Sequence, residues 1–515
     1  MNAPHTISST DIYDVIIVGA GPVGLATAIG LRKRGINNLL VIDQTRAFRQ
    51  VGQTVDLLPN GLKAIKYLDP QAYEEVKKNG NKFSSSKHSN DGETAGATQA
   101  TKPQVSTEWV QKNLQGQRIS SFSLRYDDWL RDYGEGRLSI NWYELQTTLR
   151  QQLPEDLVKP NHRCINVVEE PEMGCIRVDY VSDTTVKANP YAHWMDSQKN
   201  EEIETQNLMV DSQQSETKFL RAKLVVAADG INSTVRKVIY KDSPYSAFAK
   251  PEYSGFVAII CSQIVEIPTE IQTELKEKFF ENSPIVTISH DRTFNHSTRK
   301  PNPRMILFSR NGQVGYLIHL AVPLESLQEK FGSSLIDLTI QELEEAGYPN
   351  VLKQLVSISP PDNMKHRLYY IHRATISEAI QLPRTAVDKC SSYPVDIQPA
   401  WSAGRVILVG DAAHGMPPFM AQGANQGLED ALVVATLIAN IAKNNNWDDK
   451  QAIAQAFEKY EYLRRPFMVR VQQATLKQTL SNSQKEQQEY SQQIYSRNLD
   501  QIIEALSSGQ FLLSV

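Results

Sequence analysis

Gly19-Ala20-Gly21-Pro22-Val23-Gly24 stands between the apolar run Val15 to Val18 and a helix-like stretch, Leu25 to Arg34. Glycines at this spacing meet three steric needs. Gly19 makes a tight turn, Gly21 lets the backbone approach a pyrophosphate, and Gly24 allows the helix to pack closely on the strand. A second apolar run, Leu39 to Ile42, ends in Asp43, nineteen residues past Gly24, where a carboxylate at a strand tip can accept from a ribose hydroxyl. The phosphates of a dinucleotide would lie on the unpaired amides at the positive end of the helix. Strand, turn, helix, strand and terminal carboxylate follow in the order of a βαβ unit, which favours nucleotide binding over a purely structural turn. The spacing by itself admits either NAD or FAD.

Elements to hold these residues are spread along the whole chain. Residues 11 to 45 form the opening unit, and Gly35 stands where a helix C-cap glycine is expected. Two polar stretches, near 78–106 and 181–217, have too few apolar residues for a core and read as surface insertions. Strand character returns at Leu224 to Ala228, followed at once by Asp229-Gly230, and again at Val406 to Val409, followed by Gly410-Asp411. A strand-turn-helix unit recurring so late makes the nucleotide domain discontinuous. Between them Phe256 to Ile260, Met305 to Phe308 and Tyr316 to Leu320 read as strands of an inserted sheet, with a helix near Ile336 to Ala346. From Asp448, a suitable N-cap, the chain is largely helical.

Composition narrows the function further. A chain of 515 residues, 41% of them hydrophobic, calls for about two to four domains or sub-domains. A net charge of −4, with basic residues dispersed, argues against a nucleic-acid partner. Cys164, Cys175, Cys261 and Cys390 lie far apart without a Cys-x-x-Cys pair, so they read as structural thiols and no metal site is expected. Met1 to Asp14 lacks the features of a secretory signal, and the most apolar stretch, Ala431 to Ala442, is too short to span a bilayer. The expected location is therefore the cytoplasm, with no integral membrane segment and a monomeric or homodimeric state.

Two later motifs carry a resemblance. Asp229-Gly230-Ile231-Asn232-Ser233-Thr234-Val235-Arg236, and Gly410-Asp411-Ala412-Ala413-His414-Gly415-Met416-Pro417-Pro418 with Gln422-Gly423-Ala424-Asn425-Gln426-Gly427, resemble two signatures of the class A flavoprotein monooxygenases of the para-hydroxybenzoate hydroxylase type. With the opening turn, all three motifs occur in the family's order over roughly residues 11 to 475. The resemblance implies an α/β fold: a Rossmann-like, discontinuous FAD-binding domain (11–245 and 376–445), an inserted mixed-sheet substrate domain (246–375) and C-terminal helices (446–515). It also implies that Arg464-Arg465-Pro466 ends one of those C-terminal helices. The cofactors implied are FAD and NADPH or NADH. The implied FAD contacts are Gly19, Gly21, Gly24, Asp43, Arg49 (or Arg46), Asp229, Gly230, Gly410, Asp411, Gly423, Ala424 and Asn425. Asp411 takes the place of the family carboxylate that bonds the ribityl chain, where a plain helix-capping role is the competing reading. Pro417, Pro418 and Gly423 line the flavin ring, and the helix starting near Gly423 points its amides at a reduced flavin's negative charge.

The activity implied is NAD(P)H-consuming hydroxylation or epoxidation of an aromatic or other electron-rich small molecule by O₂, through a C4a-hydroperoxyflavin. Two alternatives stand beside it: a reductase or halogenase of the same fold, and a flavin-binding interaction protein. Arg236 reads either as a phosphate contact or as an exposed turn residue, and His414 belongs to the cofactor loop rather than to acid–base chemistry. His319 and His372 read as core or rim histidines. Phe256, Phe308 and Tyr316 suit either a pocket or ordinary core. One departure is Trp142, which stands where the family usually places an Arg or Gln against FAD; an indole supplies a single donor.

Overall fold

The computed structural model describes residues 12–45, 54–82, 107–182, 216–295, 299–310, 313–375, 399–477 and 484–508. Arg46, Arg49, Cys390 and most of both polar insertions lie outside these residues.

The main sheet is built on Ile12–Val18, which pairs in parallel with Leu39–Ile42 on one side and Lys218–Ala227 on the other. Val406–Leu408 continues the sheet in parallel beyond Lys218–Ala227, and Val158–Lys159 beyond Leu39–Ile42. Strands covered on both faces read as unbroken apolar runs, as Val15 to Val18 and Leu224 to Ala227 do. Register carries the functional consequence. Val18 pairs with both Ile42 and Ala227, and Ala227 pairs with Leu408. Four strands thus end at one level, and the turns at Gly19, Asp229 and Gly410 all leave from the same sheet edge, where open α/β sheets bind ligands. The hairpin of Arg163–Glu170 and Cys175–Val181 extends antiparallel from Lys218–Ala227. Pro22–Lys33 packs against Gly423–Lys443, which in turn packs on Lys450–Lys477.

The second sheet runs in the order Met364–Ile371, Glu252–Ile264, Gln313–Ala321, Arg304–Arg310, Ile285–Ser289, Glu108–Lys112, Arg118–Ser123. Its last two strands come from within the range 11–245 that the sequence reading placed with the nucleotide-binding part. Val110 instead pairs in parallel with Val286, and Trp109 Nε1 donates to Thr287 Oγ1 at 2.8 Å.

Alternation along each strand gives this sheet two different faces. One carries Val257, Ile259, Met305, Leu307, Tyr316 and Ile318 into a core with helices Gly332–Glu345 and Asn350–Ser357. Tyr316 is fully buried there with its hydroxyl on Ser359, so it belongs to the core and not to a pocket. The other face carries Phe256, Ala258 and Tyr369 towards Met416 and Phe419 of the third motif.

Two helix boundaries differ from expectation. Asp449, not Asp448, caps the following helix by accepting from Gln451 N and Ala452 N. Arg464-Arg465-Pro466 does not end a helix, because Lys450–Lys477 runs through Pro466.

Candidate active site

The three glycines of the opening turn face different constraints. Gly19 has φ +107°, and a Cβ there would lie 2.3 Å from the Ala228 carbonyl oxygen. A Cβ on Gly24 would lie 1.9 Å from the Gly19 carbonyl oxygen, so strand and helix approach only because both residues are glycine. Gly21 is ordinary extended backbone, and its Cβ would meet only the Trp142 ring, at 3.9 Å. Only Gly21 of the three therefore faces space rather than protein. Asp43 accepts from Ala20 N at 2.6 Å and Thr45 N at 2.7 Å, which fastens the turn to the tip of the second strand and leaves further lone pairs.

Helix Trp142–Arg150 supports the turn from the other side. Gln146, buried, donates to the Ala20 carbonyl at 2.7 Å. Sequence reasoning missed this residue; its only signal is a glutamine beside Leu145 on the buried stripe of that helix.

In the second motif Asp229 Oδ2 accepts from Thr234 N at 2.7 Å and Val235 N at 3.2 Å, while Gly230 takes φ +78°. Burial raises the Asp229 pKa, and the hydrogen bonds at the start of helix Thr234–Tyr240 oppose that rise. Arg236 is neither exposed nor placed as a phosphate contact. It is fully buried and donates to Phe248 O, Ala412 O and Ala413 O, bolting the second motif to the third. Burial lowers its pKa to about 10.

The third motif is held from below. Asp430 Oδ2 accepts from Gly410 N at 2.9 Å and lies 2.6 Å from His414 Nε2, and its Oδ1 accepts from Arg464 Nε at 2.7 Å. Arg464 also binds Glu429, and Arg497 from beyond the long helix pairs with the same carboxylate. Burial pushes the Asp430 pKa up, but His414 and Arg464 outweigh it and hold the carboxyl well below the usual range. His414 is therefore part of a buried structural hydrogen-bond network. Close packing of Gly410, Gly427 and Val23 completes the base: a Cβ on Gly427 would lie 2.5 Å from Val23.

Above that base Asp411 is solvent-exposed, and no described residue donates a hydrogen bond to its carboxylate. Desolvation by the surrounding protein still raises its pKa, opposed by His414 and Arg367. The N-terminus of helix Gly423–Lys443 lies beside it, with no side-chain cap; a Cβ on Gly423 would be 3.6 Å from Asp411 Oδ1. Between the two runs Pro417, buried, then a turn over Pro418–Met420, then Ala421 at φ +51°. A non-glycine residue in that region costs about 1 kcal/mol, and Asn425 Nδ2 secures it by donating to Ala421 O at 2.6 Å. Asn425 also donates to Asp56 O and accepts from Leu58 N. Its side chain is committed to protein, which leaves only the backbone amide for a ligand.

Phe419 projects from this loop onto the second sheet. Its ring centroid lies 4.5 Å from that of His319, 5.2 Å from Phe256 and 5.4 Å from Tyr369. The sheet face and the third motif thus close around one aromatic cluster.

The family model described as FAD binding domain matches residues 12–59 and 370–475, which contain the first and third motifs. Together with the relatives that follow, this match supports a flavoprotein of the class A monooxygenase type. Among those relatives, the dual trans-enoyl reductase/FAD-dependent monooxygenase tazHJ of Aspergillus terreus is 22% identical over 85% of this chain. The chain spans about half of that protein, 49% of its length. The 3-amino-4-hydroxybenzoate 2-monooxygenase of Streptomyces cremeus is 22% identical over 88% of this chain and 83% of its own. A salicylate hydroxylase solved as a substrate complex shares the fold, with a TM-score of 0.59 over 98% of this chain and all of that one, at 16% identity.

The residues of this chain fit FAD on three observations. Gly21 faces space where a pyrophosphate would approach, Asp411 offers an exposed carboxylate without a described partner, and the uncapped start of helix Gly423–Lys443 stands beside it. Among the described residues no group of three or more His, Cys, Asp or Glu could hold a metal, and no helix is long and apolar enough to cross a membrane.

Proposed function

We propose that this chain is a single-component monooxygenase that uses FAD, NADPH or NADH, and O₂ to hydroxylate or epoxidise an aromatic or other electron-rich small molecule. The observation that carries the reading is Asp411, exposed between an uncapped helix start and an aromatic sheet face. In this reading Gly19, Gly21, Gly24 and Asp43 hold the ADP half of FAD, and Asp229 and Gly230 border it. Gly410, Asp411, Gly423, Ala424 and the Asn425 backbone hold the ribityl and ring end, next to Pro417 and Pro418. Bound FAD would accept electrons from the nicotinamide nucleotide and activate oxygen.

The protein's own contribution is positional. Asp43 and Gln146 stiffen the turn, Arg236 fixes the second motif on the third, and the helix start at Gly423 favours negative charge next to it. Phe256, Tyr369 and Phe419 keep water from the reacting centre. In the same reading the nucleotide domain comprises 11–245 and 376–445 less the strands Glu108–Ser123, which join the substrate sheet of 246–375.

The test is direct. Purified protein should carry a yellow chromophore, and NADPH or NADH oxidation should accelerate with one or more members of a panel of phenols, indoles and polyenes. A colourless protein whose melting temperature ignores added FAD would sink the flavin assignment. Oxidation that is indifferent to the whole panel would sink the hydroxylase.

A further inference from the structure

The family match ends at residue 475, and two helices come after it, Gln484–Tyr495 and Leu499–Ser508. They pack against the third motif. Tyr490, Ile494 and Tyr495 are buried in one cluster that also takes Met416, Met420 and Ala421, from the loop that leads into helix Gly423–Lys443. Lys63 Nζ donates to Tyr495 O at 2.9 Å and Asn440 Nδ2 donates to Leu506 O at 2.8 Å, so both helices are fastened to the nucleotide-binding part.

Arg497 stands between these helices, with its side chain 8% exposed. Among the described residues its one ion-pair partner is Glu429. Its Nε and Nη1 are buried without a hydrogen-bond partner, and its guanidinium lies 3.9 Å from the centre of the Phe467 ring. Burial lowers its pKa and Glu429 opposes that, and an arginine stays charged even so. Glu429 in turn leads to the start of the long helix. Asn60 Nδ2 donates to Glu429 Oε1 at 2.8 Å and to Gln422 Oε1 at 3.1 Å, and Gln426 Nε2 donates to the same Gln422 oxygen at 2.8 Å. Gln422 is the residue from which helix Gly423–Lys443 departs. At about 1.5 Å per residue, Glu429 lies ~9 Å along the axis from Gly423.

We propose that Arg497 is a positioning residue for the flavin: through Glu429 it holds the start of helix Gly423–Lys443 and sets the electrostatic potential there, and so tunes the preference for reduced over oxidised FAD. This rests on the reading that the ring end of FAD lies at that helix start. Removing the Arg497 charge leaves the buried cluster one unit more negative, behind amides that favour a reduced flavin's negative charge. Removing the Glu429 charge makes the same cluster one unit more positive. At about 10 Å and an interior dielectric of about 20, a unit charge changes an equilibrium constant roughly tenfold.

The reduction potential of FAD on the full-length protein, titrated with dithionite against a reference dye, tests this. Arg497→Gln should lower the ratio of affinities for reduced and oxidised FAD about tenfold, which is ~30 mV for a two-electron couple. Glu429→Gln should shift the potential in the opposite direction. Arg497→Lys should stay close to wild type, and the double variant Arg497→Gln/Glu429→Gln should return towards it. A merely loosened fold would move both single variants the same way. No shift in either, or shifts of one sign, would overturn the proposal. If Arg497→Gln fails to fold, Glu429→Gln alone decides, with an upward shift expected and any other result contrary. NADPH oxidation on the same samples separates the two readings. Opposite shifts in a protein whose NADPH oxidation ignores every substrate would sink the monooxygenase and keep the role of Arg497. Substrate-stimulated oxidation with unmoved potentials would do the reverse, and a protein that takes up no FAD would sink both.

Discussion

Arg464 meets Asp430 through Nε at 2.7 Å, and both side chains are almost wholly removed from solvent. The pair joins two helices and sits directly under the loop that begins at Gly410. The same arginine binds Glu429, so one buried cation bridges two carboxylates, and Arg497 on Glu429 supplies the second positive charge. Arg464→Ala should therefore lower stability by about 3–5 kcal/mol, because uncompensated charges remain buried. Urea unfolding with unchanged slope would measure it, and a loss within ~0.5 kcal/mol would contradict the network's structural role.

Gly21 and Gly24 look alike as sequence and should behave oppositely. Gly24→Ala drives a methyl to within 1.9 Å of the Gly19 carbonyl oxygen, so the apoprotein should be severely destabilised or fail to accumulate. Gly21→Ala meets only Trp142 at 3.9 Å and extended backbone, so apoprotein stability should stay within about 1 kcal/mol of wild type. FAD affinity should nevertheless fall. A Gly21→Ala protein with full flavin occupancy would show that no pyrophosphate approaches there.

Asp411→Ala should weaken FAD retention by about ten- to a hundredfold, the range for a hydrogen bond to a charged group. The apoprotein should not lose stability, because the carboxylate has no described hydrogen-bond donor and burial already raises its pKa. Flavin-to-protein ratio after gel filtration, set beside the apo melting temperature, reads both effects. Unchanged occupancy would remove the ribityl role.

His372 gives a pH signature. Burial lowers its pKa to about 3, with Arg236, His414 and Lys237 acting in the same direction and the Ile231 carbonyl, 2.7 Å from Nε2, opposing. The folded pKa lies below the unfolded value of about 6.5, so the unfolded chain binds more protons between the two. Its stabilising contribution is complete above that upper value and is lost as pH falls towards 3. The slope is up to ~1.4 kcal/mol per pH unit. His372→Gln should flatten unfolding free energy between pH 6 and pH 4 by about that slope; an identical profile would show that His372 is charged in the fold.

Much of this was legible in the chain because it depends on local geometry. The glycine turn, the strand runs of the parallel sheet and the late Gly410-Asp411 motif follow from short-range sterics and from burial on both faces, which leave marks within a few residues. The helix through Pro466 was misread because proline's local cost is outweighed by burial of Arg464 and Arg465 on either side of the long helix. Arg236 was misread in the same way: its three carbonyl partners are 12, 176 and 177 residues away.

By itself the sequence determined which residue types could hold a dinucleotide and in what order they occur. Only the tertiary structure decided which of them are left open by the surrounding protein. Asp411 is exposed and Gly21 meets only the Trp142 ring, whereas Asn425 and Arg236 have their side chains committed to protein. Strand register in the second sheet lines up Arg304, His319, Ala258 and Arg367 across four strands, a row that no single strand of the chain contains. Hydrogen-bonded pairing of distant backbones sets which side chains become neighbours, and periodicity within one strand reports only which face each residue takes.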